Sequence, residues 1–503
     1  MRRRDFLKRA AAGGLFTAFT GAAAEIGAST PHRPNLLFIA IDDLNDWINC
    51  LDHGYPGRVF TPNIDRLAEQ GVLFTNAHAV ATMCNPSRTA LWLGKRPSTT
   101  GVYGQAAQWD DNRVTSVSMP QFFRNNGYHT LGRGKIYHHG SEVHVDPGFD
   151  DVEPFDYALE HPKPEEDRRA GLLRYGRHHL PYDEMPSTRW VRWACGALRR
   201  QYDRPFFLVT GILKPHTPLW IPRKYFDLYP MESVRVPEVP VDELDDVPEP
   251  GRKLAWMQRF YSPVVRSGNV REAIRAYLAA ITYVDDLVGE LLEALEQGPN
   301  AGNTVVVLWS DHGFHWGEKM HFAKVTLWEE ATRIPVIVKA PGVTAGGGRC
   351  ARPLDSVDLY PTLADLCGLD PPPDLDGVSA RPLLEDPGAP WDRPALTVNQ
   401  RGQVSVRSEH LRLIRYEDGS EELYDHRTDP GEHRNLANAP AYDRRRKQLA
   451  HWIPERFAVN ALPYPAWDGW LAPEIREEFR RTREQRLQKW DPPERYRREK
   501  NRK

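Results

Sequence analysis

Asn35-Leu36-Leu37-Phe38-Ile39-Ala40-Ile41-Asp42-Asp43 is the stretch whose reading decides the fold. An apolar run of strand length with no polar alternation belongs to a strand buried on both faces. Such strands lie in the middle of a mostly parallel sheet covered by helices. The two aspartates stand at its carboxyl end, the edge at which open α/β sheets place their ligands. Taken alone, Asp42-Asp43 reads equally well as an acidic turn.

Similar runs recur along the chain. Pro205 to Leu213 is apolar and ends in Lys214-Pro215-His216-Thr217-Pro218. Thr304 to Ser310 ends in Asp311-His312-Gly313, and Ile334 to Ala340 is a further strand. Shorter strands are read at Val72-Leu73-Phe74 and at Tyr128 to Leu131, the latter delivering the basic, glycine-spaced Gly132-Arg133-Gly134-Lys135-Ile136-Tyr137-His138-His139-Gly140. Glycines among cations after a strand bring backbone close to an anion. Helical patterns lie between the strands, at Thr61 to Gly71, Ser118 to Gly127, Val270 to Gln297 and Ser356 to Cys367, with Ala323-Lys324 in a loop. Beyond Pro371-Pro372-Pro373 the segments are short, at Ala395 to Val398 and Leu411 to Ile414, with one helix near Tyr442 to Ile453. This pattern predicts a smaller antiparallel sheet with a helix. The expected class is α/β, a large mostly parallel sheet sandwiched by helices. The expected division is an export segment over 1–30, a catalytic domain over 31–370, an α+β subdomain over 371–460 and a charged tail over 461–503. Residues 156–203 read as an insertion over the sheet edge, with His178-His179 on the surface. Val234 to Asn269 reads as a proline-rich, acidic excursion.

A chain of 503 residues has ample core without a structural metal or disulfide. Its net charge of −2 gives no electrostatic footprint for nucleic acid, while local contacts to an anionic substrate stay open. Arg3-Arg4-Asp5-Phe6-Leu7-Lys8 and the Ala/Gly-rich run to Ala24 resemble a bacterial twin-arginine export signal, and imply a translocase partner and a periplasmic or extracellular site. No later stretch reads as a membrane span. The five cysteines, Cys50, Cys84, Cys195, Cys350 and Cys367, show no CxxC spacing, which argues against structural zinc. Their odd number leaves at least one sulfur unpaired.

Cys84-Asn85-Pro86-Ser87-Arg88 opens a helix-like run, where N–H groups and the helix dipole favour anions. Alone, it is also what a buried structural cysteine beside a paired arginine looks like. With the strand ends it means more. Asp42, Asp43 and Asp311 repel one another in a shared site and call for a cation, with His312 and Cys84 beside them. Oxygen-dominated ligation favours Ca²⁺, Mg²⁺ or Mn²⁺ over zinc. Arg88, Lys135, His138, Lys214, His216 and Lys324 add positive charge and proton donors. The combination suits a strongly anionic tetrahedral ester.

The ordered set of these motifs, with Thr61 to Ala68 and with Leu423-Tyr424-Asp425 running to Asp429-Pro430-Gly431-Glu432, resembles the type I sulfatases of the alkaline phosphatase superfamily. The iduronate-2-sulfatase branch is the most similar. The resemblance implies an alkaline phosphatase-like fold and conversion of Cys84 to formylglycine by a maturation enzyme. It implies metal ligation by Asp42, Asp43, the modified Cys84, Asp311 and His312, with Ca²⁺ the usual ion and Mg²⁺ or Mn²⁺ as alternatives. Arg88 and Lys135 would hold the modified side chain, and His138 would take the proton that lets the sulfated intermediate collapse. His216 and Lys324 would bind sulfate and protonate the leaving alcohol, with Lys214 as a further sulfate contact. The implied substrate is a sulfated carbohydrate, such as a 2-O-sulfated uronic acid. Rival readings are a phosphonate monoester or phosphodiester hydrolase of the same superfamily, and a non-catalytic sulfoglycan-binding protein should Cys84 remain a thiol. Where the family commonly continues Leu-Thr-Gly after the pentapeptide, this chain has Leu91-Trp92-Leu93-Gly94.

Overall fold

The computed structural model describes residues 33–51, 54–107, 116–138, 148–153, 164–171, 173–255 and 261–461. The export segment expected over 1–30 and the tail beyond 461 lie outside the described residues. The opening apolar run is strand β1, Asn35–Asp42, and all eight of its residues are buried. In chain order the sheet continues with β2 (Val72–Phe74), β3 (His129–Gly134), β4 (Asp151–Val152), β5 (Phe206–Pro215), β6 (Thr304–Ser310), β7 (Val336–Lys339) and β8 (Gly348–Cys350). Their spatial order is β8-β2-β7-β6-β1-β5-β3-β4. Among the described strands of this sheet only β7 runs antiparallel to its neighbours, β6 and β2. β1 lies parallel between β5 and β6, so the ends of these three strands share one edge.

Alternation along β1 divides the core. Leu37, Ile39 and Ile41 face α1 (Pro62–Gln70), α4 (Pro186–Leu198) and the long α5 (Val270–Glu296). Leu36, Phe38 and Ala40 face α2 (Cys84–Leu93), α3 (Met119–Asn125) and α6 (Leu359–Leu366). Successive strand side chains point to opposite faces, so one continuous apolar run serves two helical layers. Ser118 caps α3, its hydroxyl accepting from the Gln121 N–H at 3.2 Å. The large mixed, mostly parallel sheet with helices matches the expected class.

The insertion holds more regular structure than its weak periodicity suggests. It contains α4, whose buried Ser187, Thr188, Val191, Ala194, Cys195 and Leu198 repeat at helical spacing and pack toward α5. Tryptophans and arginines between them hide that stripe in the sequence. His178 is not a surface residue: it is buried in the strand Leu173–His178, and its Nδ1 accepts from the Leu180 N–H at 3.0 Å, while His179 is exposed. β3 extends through Gly134, beyond the expected Leu131. Ala323 is not in a loop, because Phe322–Ala323 pairs antiparallel with His315–Trp316. All five cysteines are free thiols. Among the described residues no helix is long and apolar enough to cross a membrane.

The smaller sheet is a four-stranded antiparallel meander, β9 (Ala395–Gln400), β10 (Gln403–Arg407), β11 (Leu411–Arg415) and β12 (Glu421–Asp425), followed by α7 (Asp443–Ala450). Leu244 and Val247 of the proline-rich excursion pack with Trp328 and with Tyr416 and Tyr424 of this sheet. Asn399 of β9 joins it to the loops below the large sheet, accepting from the Thr82 hydroxyl at 2.9 Å and donating to the Val325 carbonyl at 2.8 Å.

Candidate active site

Asp42 ends β1, and Asp43 turns away with φ 61°, a left-handed conformation unusual for a residue with a side chain. Asp311 and His312 follow β6, and the Asp311 N–H donates to the Ile41 carbonyl at 3.2 Å, locking the two strand ends together. The Asp43 N–H donates to Asp311 Oδ1 at 3.1 Å. Cys84 is the first residue of α2, and the Ser87 hydroxyl one turn on donates to the Asp311 carbonyl at 2.5 Å. α2 is thereby fastened with its N-terminus against the carboxylates. All of these side chains are buried.

Cations surround this core. Arg88 donates through Nε to Asp311 Oδ2 at 2.9 Å and through a terminal nitrogen to Asp42 Oδ1 at 3.4 Å, and its other arm reaches the Lys135 and Ile136 carbonyls. Lys135 donates to Asp42 Oδ2. Lys324 stands 2.5 Å from Asp43 Oδ1 and 3.2 Å from Cys84 Sγ, and His312 Nε2 lies 3.4 Å from the same sulfur. A side-chain hydrogen bond joins His138 to Cys84. His216 Nε2 is 3.9 Å from Asp43 Oδ2. Lys214 donates to the carbonyls of His216 and Pro218, so it braces the loop that carries His216.

The charges set one another. Burial opposes ionisation of Cys84, but Lys135, Lys324, His312 and His138 outweigh it and hold the thiol well below its usual range. Burial and the Cys84 sulfur push Asp42 up, and Lys135, His216 and Arg88 overcome them, leaving it well below the ordinary carboxylate value. Asp311 has less help, and burial followed by the charge of Asp42 pushes it up to about 7. Burial disfavours the charged forms of Lys324 and His312 alike, yet Asp43 and Cys84 raise the first, and Asp311 and Cys84 raise the second.

The side chains fit a divalent cation. Asp42, Cys84, Asp311 and His312 present ligand atoms within 4.8 Å of one another, as do Asp42, Asp43, Cys84 and His216. Among the described residues Asp43 Oδ2 has no hydrogen-bond partner although it is buried, a costly state for a carboxylate oxygen that a bound cation relieves. Oxygen donors predominate, as hard cations require.

Thus every residue singled out from the strand ends and the pentapeptide lies at one edge of the sheet. One contributor had no visible signal. The Tyr277 hydroxyl, on α5, donates to the Asp43 carbonyl at 2.7 Å and accepts from the Asn45 N–H at 3.0 Å, clamping the left-handed turn. A tyrosine on the apolar stripe of an amphipathic helix reads as core, and nothing local marks its hydroxyl.

A mostly parallel sheet presenting carboxylates, cations and a helix N-terminus at its carboxyl edge suits an enzyme that acts on a strongly anionic ester. Residues 34–369 match the model of the sulfatase family, and residues 317–457 match a model described as N-sulphoglucosamine sulphohydrolase, C-terminal. A sulfatase of Formosa agariphila is 37% identical over 85% of this chain and 87% of its own length. Human iduronate 2-sulfatase is 32% identical over 69% of this chain and 71% of its own. The phosphonate monoester hydrolase of Agrobacterium radiobacter superposes with a TM-score of 0.70 at 21% identity, covering 83% of this chain and 94% of the other, a likeness of fold. The chain belongs to the sulfatase family, and it is an enzyme of that class. Members of the family generally use a metal ion and formylglycine.

Proposed function

We propose that the enzyme hydrolyses a sulfate ester of a carbohydrate, with a 2-O-sulfated uronic acid as the first substrate to test, and that position 84 works as formylglycine. The observation that carries this reading is Cys84 at the N-terminus of α2, within 3.2 Å of the Lys324 ammonium and 3.4 Å of His312, beside three buried carboxylates. The similarity to human iduronate 2-sulfatase supports the substrate class.

An aldehyde hydrate at position 84 would supply two hydroxyls, one to attack sulfur and one whose deprotonation expels sulfate and restores the carbonyl. A divalent cation held by Asp42, Asp43, Asp311 and His312, Ca²⁺ with Mg²⁺ and Mn²⁺ as alternatives, would polarise the sulfate oxygens and lower the nucleophile's pKa. Arg88 and Lys135 fix the carboxylates around the nucleophile. His138, bonded to the position 84 side chain, takes the proton of the second hydroxyl. Lys324 Nζ and His216 Nε2 hold the sulfate group and protonate the departing sugar oxygen, since an alkoxide is a poor leaving group. Lys214 acts as a further sulfate contact only if its ammonium leaves the Pro218 carbonyl. A maturation enzyme converts Cys84, and the twin-arginine-like segment directs export to the periplasm or beyond.

The test is a mass spectrum of the tryptic peptide Leu67 to Arg88, from protein made with a maturation enzyme, followed by sulfate release from defined sulfated disaccharides. The aldehyde mass, with sulfur and two hydrogens exchanged for oxygen, and release from the 2-O-sulfated uronate are expected. An unmodified thiol throughout, with no release, would support the sulfoglycan-binding reading. Cys84→Ala is expected to lower turnover by at least about 10³-fold, the scale of losing a covalent nucleophile.

A further inference from the structure

Away from the catalytic edge, at the opposite end of the small sheet, lies a cavity of about 410 Å³. It is bounded by the approach to β9, the turn from β10 to β11, Arg427 after β12, and the outer face and end of α7. Two tryptophans form part of its wall. Trp391 is fixed by its indole N–H, which donates to the Pro353 carbonyl at 2.8 Å. Trp452 follows α7 and is 38% exposed, one of few large apolar side chains in the described residues left facing solvent.

The remaining wall carries both signs of charge, with arginines in excess. Arg393, Arg427, Arg445 and His410 line it, against Asp392 and Glu409. Glu409 is occupied by Arg352 at 2.6 Å, and Arg427 by Asp425 at 2.5 Å. Among the described residues neither Arg393 nor Arg445 has an ion-pair partner within 4 Å, although the Arg445 guanidinium lies 6.0 Å from the Tyr442 ring. A fixed indole face, a second exposed indole, the Arg445 guanidinium and that of Arg393, whose charge also acts on the buried Asp358, form one concave surface, of the size of small-ligand sites, about 300–1,000 Å³. Flat aromatic faces suit the apolar C–H faces of a pyranose, and guanidinium forks pair bidentately with sulfate or carboxylate oxygens. The cavity takes no part in the mechanism: Asn399, which touches the loops of the catalytic edge, stands four residues from Ala395 at this end, about 13 Å along a strand.

We propose that this groove is a non-catalytic binding site for sulfated or carboxylated sugars, which tethers a polymeric substrate beside the catalytic centre. The ligand class rests on the reading of the enzyme as one that acts on a sulfated carbohydrate. Tethering raises the local concentration of sulfate esters without altering chemistry on a small ester.

Affinity electrophoresis of the full-length enzyme through gels containing dextran sulfate or unsulfated dextran tests this, with 4-nitrophenyl sulfate turnover measured in parallel. Trp452→Ala and Arg445→Ala are each expected to weaken retention by dextran sulfate roughly tenfold. Lys253→Ala, an equal charge change at an exposed residue of another segment, should leave retention intact. Unsulfated dextran should not retain the wild type, and kcat/KM on the aryl sulfate should stay unchanged in all variants. Retention of both groove variants like the wild type overturns the proposal, as does an equal loss in Lys253→Ala or equal retention by unsulfated dextran. A wild type that fails to turn over the aryl sulfate counts against the sulfatase reading instead, while the retention pattern still decides the groove.

Discussion

Asp43 is held at φ 61°, where a side-chain-bearing residue carries a strain of order 1–3 kcal/mol unless its surroundings compel it. Beside the Asp311 and Lys324 contacts, the Tyr277 hydroxyl helps to compel it, satisfying both the Asp43 carbonyl and the Asn45 N–H. Tyr277→Phe removes the partner of both buried backbone groups, at a cost of about 1–3 kcal/mol for each group. The expected outcome is a roughly 10–100-fold weaker dependence on added metal, read as a shift of the Ca²⁺ midpoint in thermal-shift titration, with a parallel fall in kcat/KM. An unchanged midpoint would show that the turn holds itself. Asp42, Asp311, His312 and Cys84 were legible in the sequence because each follows an apolar strand or opens a helix, so local pattern locates them. Tyr277 was not, because its partners lie more than 230 residues away and only the packing of α5 under β1 brings them together. Lys214 shows the converse: its place at a strand end reads as a ligand contact, while its ammonium is engaged with the carbonyls of its own loop.

Among the elements, the buried strands declared themselves through unbroken apolar runs, whereas α4 did not, because its buried stripe is interleaved with tryptophan and arginine. α2 ends at Gly94, whose φ of 63° disfavours residues with a side chain at that cap, and an added Cβ would also press on the Leu375 side chain at 2.7 Å. Next to α2 lies the turn into α6, capped reciprocally by Asp355 and Asp358. Arg96 pairs with Asp355 at 2.6 Å. Burial, and then the charge of Asp355, push Asp358 up to about 7. A carboxyl whose pKa is higher folded than unfolded binds more protons in the native state. Its contribution to stability is therefore complete below about pH 4 and is lost as pH rises toward 7. Melting temperature should decline across that window more steeply in the wild type than in Asp358→Asn, which cannot ionise. Parallel slopes in the two proteins would remove Asp358 as the cause.

At the scale of the whole molecule, the proline-rich excursion, the loop that leads to Lys324 and the small sheet are joined by one buried ammonium. Lys319 pairs with Glu243 at 2.8 Å and donates to the Glu432 carbonyl, while Glu243 also contacts His433 Nδ1 at 2.7 Å. Glu243→Gln takes away the ion-pair partner of that ammonium, and removing one partner of a buried pair costs about 3–5 kcal/mol. A clear drop in melting temperature is the expected result, with a fall in activity because the same loop carries Lys324, and wild-type stability would contradict the account. The excursion's composition announced only that it was irregular; which segments it joins depends on pairings across more than 70 residues, which no window of sequence reveals. Sulfatase catalysis draws on the complete assembly of strand ends, helix N-terminus and cations, and steady-state kinetics of aldehyde-containing enzyme on an aryl sulfate and an aryl phosphodiester test for it most directly. The account predicts a higher kcat/KM on the sulfate, abolished in Cys84→Ala, whereas faster turnover of the diester would contradict it and make the enzyme a phosphodiesterase built on a sulfatase frame.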